Sequence, residues 1–472
     1  MGFRKRQPEK SFIIIHLDTT KLNTQQVHKK KIIFASPSAY NFGGLATWLD
    51  YLLPSLQFQG WYPILALVNG NKHNAANYLD NHPYQHVHVV DNPTGSREGR
   101  VRAFERVIEG EDPDLVVSVN IPDALHALRR LRIRTRCNAR AVMSIHGFVP
   151  NIFDDAASLK GILEGVICTN RLACDLATRY SDIPANRVHY APCGVHLPED
   201  PPPRQIGPSH RLRLAYVGRL DQQEKRVHDL LGILSRSVDL GGDVELVVVG
   251  TGPDEVALKR AVRSWGLEDR VSFTGLLDQD HIHARIYPAT DALLITSPSE
   301  TGPQVVWEAM AHQVVVVSSR FLGAGRESAL IDGCNALLFN IGDCDHAAQA
   351  ILRLRDPELR NQLIRNARRM VEQGYSIPRS VTAWHKAFSA IMASRALPPG
   401  QTVVSPGQPA GRLDRFLGVA LAESTRRMLG IRFVHEDAGG EWPHAYGGEP
   451  GNHEHFWLLA SELDKSNQRN YQ

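Results

Sequence analysis

Cysteine is scarce in this chain. Six residues among 472 are Cys137, Cys168, Cys174, Cys193, Cys334 and Cys344, and none forms a C-x-x-C pair. That spacing excludes the usual zinc and dithiol motifs and leaves these residues as small core side chains, expected in the reducing cytosol. Long apolar runs are missing as well. Phe12-Ile13-Ile14-Ile15 is too short for the apolar region of a signal peptide, and nothing approaches the roughly 18 residues needed to span a bilayer. A strong net charge is absent: 53 Lys and Arg against 50 Asp and Glu leave +3, which excludes a chain-wide nucleic-acid footprint. No G-x-G-x-x-G follows the first predicted strand and no Walker A sequence occurs, so neither NAD binding nor ATP hydrolysis has its usual anchor.

What is present is an ordinary soluble composition, 43% hydrophobic and 22% charged, long enough for two or three domains. The charge is uneven. Residues 1–31 carry eight Lys and Arg with only Glu9 and Asp18, a local +6. Such an arm is either simply solvated or a weak electrostatic hold on an anionic membrane.

From Lys31 onward, short apolar runs alternate with segments of helical period. Lys31–Ala35 predicts a buried strand, and Leu45, Trp48, Leu49, Leu52, Leu53 and Leu56 predict the helix behind it. The alternation runs on to Tyr180. Pro198–Pro208, with five prolines, interrupts it, and it restarts at Leu212. This pattern predicts α/β architecture: two doubly wound, Rossmann-like parallel-sheet domains facing across a cleft. The expected divisions are a basic flexible arm (1–30), a first domain (31–197), a Pro-rich linker (198–211), a second domain (212–395) and an extension (396–472). The extension is expected to hold an amphipathic helix over Leu413–Met428, for which docking on the main body is favoured over binding at a membrane interface, and then a flexible tail, whose His444, His453 and His455 fit no standard metal spacing. Asp154-Asp155 reads as an exposed acidic turn rather than half of a metal site.

The stretch SPSETGPQVVWE, Ser297 to Glu308, organises the second domain. Thr301-Gly302-Pro303 stands where a helix should start, since Pro suits a first turn whose N–H groups lack partners. Those N–H groups and the positive end of the helix dipole attract phosphate. Glu300 precedes the helix and Glu308 sits within it, so both can face one ligand that carries phosphate and hydroxyl groups. Gly218-Arg219 ends the domain's first predicted strand and Lys225 follows; the pair would aim two cations at the same sheet edge. Gly250-Thr251-Gly252-Pro253 makes a further strand-to-helix turn. Each piece alone has a plain alternative. Arg219 and Lys225 could be solvated, Glu308 could serve only the helix dipole, and His146 could be a hydrogen-bonded core histidine.

Taken together, VGRL with Lys225, GTGP at 250–253, FTG at 273–275, SPSETGPQVVWEAMA at 297–311, VVVVSS at 314–319 and DGCNALLF at 332–339 resemble the retaining GT-B glycosyltransferases of the large family 4. The likeness covers about residues 31–390. It is looser in the first domain, through the Gly43-Gly44 loop and Ser144-Ile145-His146-Gly147. The resemblance implies transfer of a sugar, with retention of configuration, from a nucleotide-diphosphate sugar to a glycan, lipid-linked or small-molecule acceptor. It implies neither metal nor other cofactor. Arg219 and Lys225 match the pair that holds the donor diphosphate, Glu308 the acid that binds ribose, and Glu300 the acid beside the transferred sugar. Thr301, Gly302 and Pro303 match the turn whose amides approach sugar and phosphate. Gly43 and Gly44 match the loop that lets the diphosphate pass, with Gly218 at the facing strand end, and His146 matches a histidine facing the sugar. Thr301 stands where a Gly is common, Arg226 where a Gly follows the Lys, and His312-Gln313 where a small residue and Gly are usual. Glu327 matches a frequent Pro-Glu position without its Pro.

The expected setting is bacterial polysaccharide or glycolipid assembly in the cytoplasm, with peripheral contact to the inner membrane face through the basic arm. No nucleic-acid partner is expected. A glycoside hydrolase needs two carboxyls about 5–9.5 Å apart, whereas eight helical steps would separate Glu300 from Glu308 by about 12 Å of rise. A sugar-nucleotide epimerase on the same scaffold and a non-catalytic nucleotide-sugar-binding subunit remain as alternatives.

Overall fold

The computed structural model describes residues 29–38, 43–69, 74–199, 211–399, 411–433 and 453–465. The basic arm up to residue 28, most of the Pro-rich linker, and the tail residues 434–452 with His444 lie outside them.

Two parallel sheets form. The first contains β1 (Lys30–Ser36), β2 (Trp61–Val68), β3 (Val87–Val90), β4 (Leu115–Val119), β5 (Arg140–Ile145), β6 (Leu163–Cys168) and β7 (Val188–Tyr190), in the order β3-β2-β1-β4-β5-β6-β7. The second contains β8 (Leu212–Val217), β9 (Val244–Val249), β10 (Val271–Gly275), β11 (Ala292–Ile295), β12 (Val315–Ser319) and β13 (Leu337–Phe339), in the order β10-β9-β8-β11-β12-β13. The central strands are apolar on both faces because helices cover both: β4 and β12 are buried at every position.

In each sheet the chain steps outward in one direction and then returns past its first strand. The reversal lies between β1 and β4 in the first sheet and between β8 and β11 in the second. Ligands of open α/β sheets bind outside the carboxyl ends of the strands at such a reversal. The segments leaving there are the Gly43-Gly44 approach after β1, Gly218-Arg219 after β8, and Thr296–Thr301 after β11. The fold therefore carries the expected motifs to one place.

Three expectations need correction. The helix Ile377–Ala393 was assigned to the second domain by chain order, yet it packs on the first. Trp384 and Phe388 lie 4.7 Å from Trp48 and 5.9 Å from Phe34 between ring centroids. The tail is not all flexible, since Glu454–Lys465 is a helix whose Phe456, Ala460 and Leu463 join the first domain's core, Phe456 lying 5.1 Å from both Phe153 and Tyr180. The acidic turn at 154–155 is the middle of a helix, Pro150–Leu159, in which Asp154 accepts from the Tyr180 hydroxyl at 2.8 Å and lies 3.1 Å from His453 Nε2. The amphipathic helix of the extension is present as two, Arg412–Leu417 and Val419–Leu429. They break at Gly418, whose φ of 75° suits glycine.

Candidate active site

Glu300 leaves β11 three residues ahead of Pro303, which caps the helix Gln304–Ala311. Its backbone N–H donates to the Leu322 carbonyl at 3.1 Å, which fixes the loop against the segment after β12. Its carboxylate meets Lys225, whose Nζ is 2.6 Å from Oε1. Lys225 ends the short helix Gln222–Lys225, capped by Asp221, which accepts from Gln223 and Glu224 amides at 2.9 and 3.0 Å. The Lys225 carbonyl accepts from Thr296 Oγ1 at 2.7 Å, so both loops are tied at backbone and side chain. Arg219 is not drawn into this pair. Its guanidinium stands 3.8 Å from Asp221 and 3.9 Å from Glu224, loose ionic contacts that leave it partly exposed at the strand end.

Glu308, about one turn into the helix, is buried and held. Oε2 accepts from the Tyr287 hydroxyl at 2.7 Å and Oε1 from Gln279 Nε2 at 3.3 Å. Gln279 also donates to Thr47 Oγ1 of the first domain at 2.7 Å. This contact puts the ribose-matching acid directly beside the first domain's leading helix, Gly44–Phe58. At that helix start, a Cβ on Gly44 would stand 3.0 Å from Gln304 Oε1. The two helix N-termini, one from each domain, thus converge, and with them the positive ends of two dipoles. A side chain at position 44 would have to push the Gln304 amide aside. Gly43 has an extended φ of −168°, which any residue adopts, so its backbone does not require glycine. Gly302 is left-handed, with φ 115°, and a Cβ on Gly218 would stand 3.1 Å from the Tyr216 hydroxyl.

His146 reaches the cleft through its backbone. Its carbonyl accepts from Thr301 Oγ1 at 2.7 Å, and Thr169 Oγ1 donates back to the Thr301 carbonyl at 3.3 Å. The ring lies parallel to Trp384 (5.9 Å, 9°) and 4.5 Å from Trp48, and its Nε2 is covered with no hydrogen-bond partner among the described residues. Burial pushes its pKa down to about 3. The ring is therefore neutral near pH 7 and does not carry protons there. An unfolded chain takes up this proton near pH 6.5 whereas the folded one refuses it, so His146 lowers stability progressively as pH falls from about 6.5 toward 3. Its imidazole carbon resonances should show no titration between pH 5 and 8; a midpoint near 6.5 would contradict this environment.

Residues 211–356 match the family model described as Glycosyl transferases group 1. That match spans most of the carboxy-terminal domain, which is similar to the group 1 glycosyl transferases. The chain is 29% identical over 169 residues to N-acetyl-alpha-D-glucosaminyl L-malate synthase of Bacillus anthracis, covering 36% of this chain and 43% of that protein. It is 30% identical over 178 residues to lipopolysaccharide 1,6-galactosyltransferase of Salmonella typhimurium, covering 37% and 47%. The matches span about half the length of these curated relatives. Among solved structures, Anabaena Alr3699/HepE in complex with UDP-glucose superposes with a TM-score of 0.63 at 20% identity, over 76% of this chain and 99% of that one. The outer core galactosyltransferase WaaB gives 0.59 at 19% identity, over 76% and 99%. The two domains form the GT-B fold.

Within this GT-B chain the departures from the group's pattern have physical consequences. Arg226 and Gln313, both standing where glycine is usual, adopt φ of 50° and 60°. These are left-handed positions, where a side chain costs about 1–2 kcal/mol. Arg226 is partly compensated by its ion pair with Asp229 at 2.7 Å. Thr301, in place of glycine, supplies the hydroxyl that bridges to His146.

Glu327, at the Pro-Glu position that lacks its Pro, has a firm place in the segment after β12. Glu327 accepts from the Arg171 amide at 2.8 Å and the Tyr375 hydroxyl at 2.7 Å, and also from the Tyr190 hydroxyl. Gly323, with φ 103°, packs so closely that a Cβ would stand 2.4 Å from the Glu300 carbonyl. Asp464, on the terminal helix, accepts from the Gly323 and Arg326 amides at 2.9 and 2.6 Å. The terminal helix thus braces the segment after β12, against which the Glu300 loop is fixed. Asp464→Ala should speed hydrogen exchange at those two amides on the order of tenfold or more, and exchange unchanged at both would show that the brace is idle. Sequence reasoning passed over Gln279, Tyr287, Gln304 and Asp464. Gln304 follows Pro303 directly, and its place at a phosphate-type helix start was its one local signal.

Proposed function

We propose that this chain transfers a sugar from a nucleotide-diphosphate sugar to an acceptor with retention of configuration, using neither metal nor other cofactor. The observation that carries the reading is the meeting of Lys225 with Glu300 beside two facing helix N-termini. As the anomeric bond breaks, negative charge grows on the departing diphosphate. Lys225, Arg219 and the amides at the start of Gln304–Ala311 are fixed donors that can take up that charge without reorganising. Glu300, held by Lys225, sits where the transferred sugar would lie, and Glu308, oriented by Tyr287 and Gln279, is an acceptor for ribose hydroxyls. His146 serves through its carbonyl and a neutral ring, which positions rather than protonates.

The UDP-glucose held by HepE supports a nucleotide-sugar donor. The Salmonella relative's name supports a glycan acceptor and a setting in cell-surface polysaccharide or glycolipid assembly. Retention, through attack on the same face, follows from the resemblance. We place the chain in the cytoplasm; among the described residues no helix is long and apolar enough to cross a membrane. An epimerase or a non-catalytic binding subunit gains no support from the relatives' names, and a hydrolase pair is disfavoured because Glu308 is already committed to Tyr287 and Gln279.

The test is release of free nucleotide from UDP-, GDP- or ADP-sugars, screened first by thermal shift. Release that requires a glycan or lipid-linked acceptor supports transfer. Stabilisation by a nucleotide sugar without release, whatever acceptor is added, would make the chain a binding subunit.

A further inference from the structure

The extension 411–433 sorts its charges in an unusual way. Both of its acids are turned inward. Asp414 pairs with the buried Arg426, and Glu423 accepts from Thr94 Oγ1 at 2.9 Å and from the Ser96 hydroxyl. Arg102 of the first domain seats the same helix, donating to the Ala420 carbonyl at 2.8 Å and to Ser424 Oγ at 3.1 Å. The buried face of Val419–Leu429 is therefore Ala422, Glu423 and Arg426. What faces outward carries no acid. Leu421 and Met428, seven residues apart, lie two turns from each other on the outer side. Phe416 is 86% exposed and Met428 78%, with Leu429 and Ile431 beside them. Arg412, Arg415 and Arg427 are exposed around this apolar row and form no ion pair among the described residues.

Acids on the neighbouring helix Arg97–Glu111 do not neutralise the patch, because each has a cationic partner: Glu98 pairs with Arg102 and Arg130, Glu105 with Arg134, Glu109 with Arg136 and Glu111 with Lys31. An outer face with large apolar side chains set among unopposed arginines is costly to leave in water and fits poorly on an ordinary protein surface. It matches the boundary of a bilayer with anionic headgroups, where apolar side chains enter the acyl margin and arginines meet phosphate.

We infer that residues 411–433 form a membrane-docking surface for anionic phospholipid. It is anchored through Thr94, Ser96 and Arg102 to the first domain, just past the carboxyl end of β3. That is the same sheet edge from which the cleft opens, so docking would hold the acceptor-side domain against the bilayer. The surface does not depend on the transferase reading: loss of nucleotide release with vesicle binding intact would fault one and leave the other.

The full chain should co-sediment with vesicles of phosphatidylcholine and phosphatidylglycerol, not with phosphatidylcholine alone, and salt should weaken binding. The triple variant Arg412→Gln, Arg415→Gln, Arg427→Gln should lower the partition on the order of a hundredfold. Phe416→Ser with Met428→Ser should lower it while preserving the salt dependence. All these side chains are exposed, and circular dichroism of each variant should match the parent. Equal binding by the variants, with loss only when residues 1–28 are removed, would assign binding to the arm and overturn the proposal. So would self-association of the parent that these substitutions abolish, together with no vesicle binding, since the face would then belong to a second copy.

Discussion

Lys225→Ala lowers turnover by on the order of a hundred- to a thousandfold, the usual cost of removing one preorganised donor to a developing anion. The loss should fall on kcat more than on KM, because the ammonium matters most when the diphosphate carries its full charge. The substitution also strips Glu300 of its partner at 2.6 Å. Lys225→Arg, which keeps the charge but changes its shape, should restore part of the rate. Initial rates of nucleotide release at saturating acceptor read this directly. A variant within threefold of the parent would place the leaving group elsewhere.

Asp123→Ala should cost about 3–5 kcal/mol of stability, the usual cost of breaking a buried ion pair by removing one partner. Asp123 is fully buried between Arg97 Nε at 2.8 Å and Arg100 Nε at 2.5 Å. Removing it takes away the buried carboxylate that the two guanidinium groups share. Burial alone would raise the Asp123 pKa, but Arg100 and Arg97 hold it down to about 2. A carboxylate depressed in this way stabilises the fold above its unfolded value, near 3.9, and that contribution is lost as pH falls through about 2. His126 beside it is pushed down to about 4, chiefly by burial and then by Arg97. It adds a loss that begins earlier, as pH falls below about 6.5. Urea unfolding of parent and variant at pH 7 should separate them by about 3–5 kcal/mol; a difference below about 1 kcal/mol would mean that the arginines find other partners.

Much of this was legible in the sequence because the relevant signals are local. Apolar runs with β-branched residues marked the strands, and Pro303 after a glycine turn marked the start of a helix. Lys225 and Glu300, separated by 75 positions, were each placed by the strand preceding them, and the sheet order then brought them together. What the sequence hid was partnership across distance. Nothing in the letters of Gln279 says that it will bridge Glu308 and Thr47, nor in Trp384 that its helix will return to the first domain. His146 was expected for its ring, yet the fold uses its carbonyl. The terminal helix could have been seen. Phe456, Ala460 and Leu463 recur at helical spacing, and the glycine-rich residues before them drew attention away.

The arrangement is tested most directly by a crystal structure of the full chain with a nucleoside diphosphate bound. Its phosphate oxygens should lie within about 3.2 Å of Lys225 Nζ, the Arg219 guanidinium and the first amides of Gln304–Ala311, with a ribose hydroxyl on Glu308. A diphosphate bound at the other sheet edge, or one touching none of those groups, would contradict it.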